Sequence, residues 1–140
     1  MERPRTPNGQ LVLVVDDQPF FTTFLHDKFT RLGYGVVAVR DGAEALAFVK
    51  QVGPPLVIVL DLLMPRVGGQ ELLLELARSE HARGIRVVLV SSSHAVEAVA
   101  KGSPMVVGRL QKPLDFGEVA SLVGRAASDL MGAPGPRLVN

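Results

Sequence analysis

The chain has 140 residues, 47% of them hydrophobic, and its 15 basic and 14 acidic residues leave a formal net charge of +1. That length and apolar content suit one domain with a sizeable core, and the balanced charge gives no electrostatic case for binding nucleic acid or a membrane surface. The sequence has no cysteine, which excludes disulfides and thiolate chemistry and is compatible with a cytoplasmic location.

The two ends of the chain differ in composition from its middle. The stretch "MERPRTPNGQ", residues 1–10, predicts a flexible N-terminal arm and lacks the apolar segment of a signal peptide. The stretch "GAPGPRLVN", residues 132–140, predicts a flexible tail or the start of a linker. We therefore expect a single domain over residues 11–131.

Short runs of apolar residues rich in valine and isoleucine recur along this domain. Continuous runs of this kind are typical of strands that are buried on both faces, as in parallel sheets. The predicted strands cover residues 11–15, 35–39, 56–60, 86–90 and 105–110.

Apolar residues at helical spacing lie between and after these runs, and the first predicted helix has Pro19 in its first turn. Asp41 with Glu44, and Asp115 with Glu118, form the capping-box pattern that marks the start of a helix. The apolar faces predicted for five successive helices are Phe21, Phe24, Leu25 and Leu32; Leu46 and Val49; Leu72, Leu73 and Leu76; Val96, Val99 and Ala100; and Val119, Leu122, Val123 and Ala126. Five alternating strand–helix units favour an α/β fold with a doubly wound parallel sheet.

Polar residues follow four of the five predicted strands. Asp16 and Asp17 come directly after the first strand, and Asp61 comes directly after the third. Ser91 opens a run of three serines after the fourth strand, and Lys112 comes shortly after the fifth. Because the carboxyl ends of parallel strands lie along one edge of a sheet, we expect these side chains to converge there.

Taken singly, each of these residues has an ordinary explanation, such as a turn, a helix cap or an exposed lysine. Together they predict a site, because clustered carboxylates repel each other unless a cation neutralises them. A few carboxylates with water suit Mg²⁺, and Lys112 adds a second positive charge for an anion bound beside the metal. A metal, a lysine and a hydroxyl around Asp61 are the groups needed to transfer a phosphoryl group onto a carboxylate.

Four segments of the chain resemble the receiver (response-regulator) domain of two-component signalling. They are "VVDDQP", "DLLMPRVGGQEL", "VVLVSSS" and "LQKPL", and the second is the most specific because Asp61, Met64-Pro65 and Gly69 stand at the family's spacing. The resemblance extends from Leu11 to about Ala127. It implies a flavodoxin-like, doubly wound (βα)5 fold with a five-stranded parallel sheet in the order 2-1-3-4-5.

The resemblance also implies a role for each acidic residue. Asp61 would be the phosphoacceptor, and the donor would be a phosphohistidine on a sensor histidine kinase or a phosphotransfer protein. Asp17, Asp61 and the backbone carbonyl of Leu63 would bind Mg²⁺ directly, while Asp16 would act through a metal-bound water. The domain would catalyse only its own phosphorylation and dephosphorylation.

The remaining implied roles concern the switch and the output. Ser91 and Lys112 would contact the phosphoryl group, and the peptide bond before Pro113 is commonly cis in the family. Phosphorylation would change the affinity of a downstream protein for the face made by the fourth helix, the fifth strand and the fifth helix. Arg109 stands three residues before the lysine, where the family usually has the tyrosine or phenylalanine of that output face.

Two further features depart from the family pattern. The segment from Gly102 to Lys112 is longer than usual, which predicts a rebuilt loop before the fifth strand with a turn at Ser103-Pro104. Leu63 stands two residues after Asp61, where an apolar side chain cannot orient an attacking water, and this predicts slow loss of the phosphoryl group.

Other functions stay open on the sequence. Arg109 and the altered loop also fit a degenerate receiver that acts as a phosphorylation-independent protein interaction module. An aspartate-nucleophile phosphatase would need an Asp-x-Asp motif after the first strand, where this chain has "DDQP". The short tail fits a stand-alone regulator or a piece of a larger protein, and a weak homodimer is a further option. No helix-turn-helix pattern supports direct DNA binding.

Overall fold

The computed structural model describes residues 4–64, 67–91 and 103–131. The strands are β1 (Leu11–Val15), β2 (Gly35–Val39), β3 (Leu56–Asp61), β4 (Ile85–Ser91) and β5 (Val106–Gln111). The helices are α1 (Pro19–Arg31), α2 (Gly42–Val52), α3 (Gly69–Arg78), a 3-10 turn (Ala82–Gly84) and the C-terminal helix (Phe116–Leu130). The helix predicted around Val96, Val99 and Ala100 lies outside the described residues.

All five strands pair in parallel, and their order in the sheet is β2-β1-β3-β4-β5. The predicted flavodoxin-like fold and strand order are therefore confirmed, and each strand boundary lies within one residue of its predicted position. Every residue of β1 and β3 is buried, because these central strands are covered on both faces.

The core is divided by the sheet into two clusters, since successive side chains of a strand point to opposite faces. One cluster lies beneath α2 and α3 and contains the fully buried side chains of Phe48 and Leu76. The other lies beneath α1 and the C-terminal helix and contains Phe29 and Val123. The helices thus fix the sheet from both sides and leave its carboxyl edge for other groups.

The predicted inward face of α1 is wrong at two positions. Leu25 is buried as expected, but Phe24 is 39% exposed and Leu32 is 53% exposed. The residue that completes the buried stripe is Phe29, which lies one turn after Leu25 and is fully buried. Leu32 is exposed because it stands beyond the end of the helix, as its C-cap.

The inward faces of α2, α3 and the C-terminal helix follow the predicted pattern, and the predicted capping pair is present at Asp41 but not at Asp115. The Asp41 carboxylate accepts a 3.0 Å hydrogen bond from the Glu44 N–H and so caps α2, whereas Asp115 accepts one from the Gly117 N–H at 3.2 Å. The predicted inward residues that are buried are Val49, Leu72, Leu73, Leu76, Val119, Val123 and Ala126. Leu46 and Leu122 are half-buried and pack against the core.

A register shift interrupts the pairing of β4 with β5. Val106 stands opposite Val87, but Gly108 stands opposite Val88, so Val107 is an additional residue in β5. After the shift the two strands run in step to Ser91. The turn predicted at Ser103-Pro104 is present, because the Val106 N–H donates to the Ser103 carbonyl at 3.3 Å.

Residues 4–10 lie beside the start of β2. The Asn8 N–H donates to the Gly33 carbonyl at 2.9 Å, and the Gly35 N–H donates to the Gln10 carbonyl at 3.0 Å. The flexibility predicted for this arm stays a prediction. Across the described residues, no helix combines the length and the apolar character that a membrane crossing needs.

Candidate functional site

The sheet brings the predicted polar residues to its carboxyl edge. Asp61 and Ser91 are the last residues of β3 and β4, while Asp16 and Lys112 directly follow β1 and β5. In parallel strands these ends face the same way, so four separate strands supply one small region. The backbone therefore brings these four residues to the edge of the sheet at which the sequence predicted them.

Three carboxylates meet in this region. Asp16, Asp17 and Asp61 each offer an oxygen, and these atoms all lie within 4.8 Å of one another. Asp16 and Asp61 are 1% and 4% exposed, whereas Asp17 is open to solvent. Hard oxygen donors with one open side fit Mg²⁺, which keeps several of its waters. The residues present therefore suit the predicted metal, with Asp17 on its solvent side.

The environment of Asp61 favours the neutral form of its carboxyl group. Burial is the largest influence and raises the pKa of Asp61, and the nearby Asp16 and Asp17 charges act in the same direction. A hydrogen bond from the Leu63 N–H to Oδ1 of Asp61, at 3.1 Å, and the charge of Lys112 oppose this and lower the pKa. The net rise indicates that this carboxylate gains from a bound cation.

Lys112 supplies the positive charge that is built into the cluster. Its Nζ donates to Oδ2 of Asp16 at 2.8 Å and lies 3.7 Å from Oδ2 of Asp61. The backbone fixes the start of this side chain, because the Lys112 N–H donates to the Ser91 carbonyl at 2.9 Å. The peptide bond between Lys112 and Pro113 is cis, as the resemblance implies.

Two residues beside Lys112 were missed by the sequence analysis. The side-chain oxygen of Gln18 accepts a 3.2 Å hydrogen bond from Lys112 Nζ, and the ammonium lies 4.4 Å from the centre of the Phe21 ring. Helical spacing predicts Phe21 only as part of the apolar face of α1. The adjacency of Gln18 to Asp16-Asp17 was the single available signal, and it did not reveal the contact with a lysine 94 residues away.

The remaining predicted site residues are Ser91, Leu63 and Arg109. Ser91 is fully buried at the end of β4, and Leu63, whose N–H bonds to Asp61, is 53% exposed. Arg109 is exposed on β5 and lines an open surface cavity of about 720 Å³ with residues of the C-terminal helix, among them Glu118 and Arg125. The metal contact of the Leu63 carbonyl and the roles of Ser91 and Arg109 stay predictions.

Comparison with proteins of known sequence places this site in a family. The family model described as "Response regulator receiver domain" matches residues 12–123. The chain is 31% identical to the probable methanogenesis regulatory protein FilR2 of Methanothrix harundinacea, over 90% of this chain and 88% of FilR2. It is 30% identical to protein Rrf1 of Nitratidesulfovibrio vulgaris, over 89% of this chain and 95% of Rrf1.

Comparison with solved structures agrees in fold. The signal receiver domain of a signal transduction histidine kinase from Syntrophus aciditrophicus matches with a TM-score of 0.78 and 27% identity, over 93% of this chain and 98% of that one. The response regulator TrrA of Thermotoga maritima, solved in complex with Mg²⁺-BeF, matches with a TM-score of 0.72 and 21% identity, over 84% of this chain and 98% of that one. With its sheet order, its acidic cluster and the family match together, this chain belongs to the response regulator receiver domain family of two-component signalling.

Proposed function

We propose that this domain accepts a phosphoryl group on Asp61 from the phosphohistidine of a sensor histidine kinase or a phosphotransfer protein. The observation that carries the proposal is the convergence of Asp16, Asp17 and Lys112 on the carboxylate of Asp61. Oδ1 of Asp61 accepts the Leu63 N–H, so Oδ2, on the side of Lys112, is the oxygen best placed to attack phosphorus. A phosphorus–oxygen bond forms to Asp61 while the phosphorus–nitrogen bond of the donor breaks and the imidazole leaves.

The site has groups that would neutralise negative charge before and after the phosphoryl transfer. Asp16, Asp17, Asp61 and the Leu63 carbonyl would hold Mg²⁺, which when bound neutralises the carboxylates and orients a phosphoryl oxygen. Lys112 is already within 3.7 Å of Asp61 and would contact the arriving phosphoryl group with little movement. The domain would later lose the group to water by hydrolysis, and it would act on no separate substrate.

An apolar surface beside the site suits contact with the phosphodonor protein. Phe20 is 87% exposed and lines a groove of about 280 Å³ together with Lys112, Pro113 and Phe116. Exposed apolar surface of this kind is typical of a protein interface. Because Lys112 lines both this groove and the site, a donor protein that reaches Asp61 would also contact the Phe20 ring.

Phosphorylation would alter the output face of the domain. The phosphoryl group, with up to two negative charges, replaces the single charge of the Asp61 carboxylate and would attract Lys112 and the Ser91 hydroxyl, and movement there would be transmitted along β4 and β5. Arg109 lies on β5 in the part of this face that the structure describes, where it would contact a downstream protein target. We place the domain in the cytoplasm, where histidine kinases expose their phosphohistidines.

The experiment is intact-mass analysis after incubation with acetyl phosphate and Mg²⁺. We expect a single phosphoryl adduct that is absent from the Asp61→Ala variant and from samples with excess EDTA. If the wild type takes up no phosphoryl group from acetyl phosphate or from phosphoramidate, the domain is instead the phosphorylation-independent interaction module. Turnover of a generic phosphate ester would indicate instead that this domain is a phosphatase.

A further inference from the structure

The side chain of Gln18 contacts the candidate site and not the helix that begins beside it. It is the N-cap residue of α1, yet its side chain makes no capping hydrogen bond, and glutamine is not among the residues that helices prefer at this position. Its backbone N–H instead donates to Oδ1 of Asp16 at 2.9 Å, while its side-chain oxygen accepts from Lys112 at 3.2 Å. The backbone of Gln18 therefore bonds to the acidic cluster, and its side chain bonds to the lysine beside that cluster.

The Lys112 ammonium is closer to Asp16 and Gln18 than to Asp61. A lysine has three N–H donors, and here two of them reach Oδ2 of Asp16 and the oxygen of Gln18. The face of Phe21, 4.4 Å away, also attracts the cation. The distance to Oδ2 of Asp61, 3.7 Å, is beyond a hydrogen bond.

We propose that Gln18 is a positioning residue for phosphoryl transfer, whose side-chain carbonyl holds Lys112 beside Asp16 and off the attacking oxygen of Asp61. This inference rests on the proposed function. A lysine bonded to Oδ2 of Asp61 would occupy the lone pair that has to attack phosphorus. At 3.7 Å the ammonium leaves that lone pair free and is still close enough to stabilise the incoming negative charge.

The direct test follows the position of Lys112 by NMR in the full chain without metal. An aromatic ring shifts protons above its face upfield, so the terminal methylene protons of Lys112 should be displaced upfield in the wild type and not in Phe21→Leu. Gln18→Met removes the acceptor at similar volume and should move these resonances toward their position in Phe21→Leu. Gln18→Glu keeps an acceptor oxygen and should leave them near the wild-type position.

The matched control is Gln51→Met, because Gln51 is an exposed glutamine of α2 and should leave the Lys112 signals unchanged. Unchanged Lys112 resonances in Gln18→Met would overturn the proposal. Equal displacement in Gln18→Met and Gln18→Glu would also overturn it, because the acceptor oxygen would then not be what holds the lysine.

The kinetic test uses phosphoramidate, a small donor with a phosphorus–nitrogen bond, at saturating Mg²⁺. We expect Gln18→Met to be phosphorylated about tenfold more slowly than the wild type, which is the effect of losing one hydrogen bond to a charged group, and Gln51→Met to keep the wild-type rate. An unchanged rate in Gln18→Met contradicts the positioning role. If even the wild type takes up no phosphoryl group, the proposed function fails, and the NMR measurement still decides whether Gln18 places Lys112.

Discussion

Asp16 and Lys112 form a 2.8 Å ion pair across the carboxyl edge of the sheet, over the ends of the two strands that separate β1 from β5. The Asp16 side chain is 1% exposed and that of Lys112 is 15% exposed, so the pair is largely withdrawn from water. Removing one partner leaves buried negative charge without its cation, and this costs more than the intact pair contributes.

Lys112→Met should therefore lower the free energy of unfolding in EDTA by on the order of 2 kcal/mol. Millimolar Mg²⁺ should raise the melting temperature more in this variant than in the wild type, because the metal takes over the neutralisation of the carboxylates. Thermal unfolding with and without Mg²⁺ measures both effects. Lys50→Met, at an exposed position near the end of α2, is the control. Equal responses to Mg²⁺ in all three proteins would contradict the prediction.

The raised pKa of Asp61 makes stability depend on pH. The folded protein holds this proton to a higher pH than the unfolded chain, so ionisation of Asp61 costs no stability below its ordinary pKa of about 4 and costs progressively more as the pH rises through the raised value. Asp61→Asn removes that cost. Its melting temperature in EDTA should exceed that of the wild type by about 3 °C at pH 7, and the difference should disappear near pH 4.

Thermal scans between pH 4 and pH 8 test this expectation. Asp27→Asn is a suitable control, since Asp27 is exposed on α1 and its replacement should produce no such pH-dependent gain. A wild type that is more stable than Asp61→Asn at neutral pH would show that the attraction of Lys112 outweighs the burial of the carboxylate.

Leu63 should make the phosphorylated domain long-lived. Its backbone N–H bonds to Asp61, and its side chain is 53% exposed and has no group that can orient an attacking water. Leu63→Asn supplies such a group and should speed hydrolysis by about tenfold, the effect of one added hydrogen bond to the attacking water. The measurement is the decay of the phosphoryl adduct after removal of acetyl phosphate. Leu74→Asn, at an equally exposed leucine of α3, should decay like the wild type. A wild-type lifetime of seconds would contradict this idea.

Gly69 is required by the backbone of the site. A Cβ at this position would lie 2.7 Å from the Asp61 carbonyl oxygen and 2.7 Å from the Leu62 Cα, neither of which can move without shifting the end of β3. Gly69→Ala should therefore lower the free energy of unfolding by about 2 kcal/mol. In Gly124→Ala the one neighbour of the new methyl group among the described residues is the Tyr34 hydroxyl at 3.9 Å, so the free energy of unfolding should rise by about 0.5 kcal/mol. Urea titrations of the two variants measure the contrast.

Local sequence patterns were sufficient for the sheet and for most of the site. The strands could be predicted because β1 and β3 are buried on both faces and so read as unbroken apolar runs. The positions of Asp16, Asp61 and Lys112 followed from those strands, because each residue stands at or just beyond a strand end. Once the strands are known, the parallel sheet alone therefore places these three side chains at one edge.

The contacts that were missed depend on packing between distant segments. Helical spacing identified an apolar face of α1, but it could not tell that the ring of Phe21 meets Lys112 while Phe29 completes the core. Gln18 reads as an unremarkable residue before a proline until the end of β5 is placed beside it. A contact between residues far apart in the chain produces no pattern in the sequence around either residue.

The additional residue in β5 divides that strand into two parts that pair with β4 in different registers. Before Val107 the register follows the turn at Ser103, and after it the register is reset against β4, with Gln111 opposite Ser91. A segment of unusual length can therefore enter the strand while Lys112 still emerges beside the acids. The segment before this edge strand can therefore change in length without moving Lys112 away from the carboxylates.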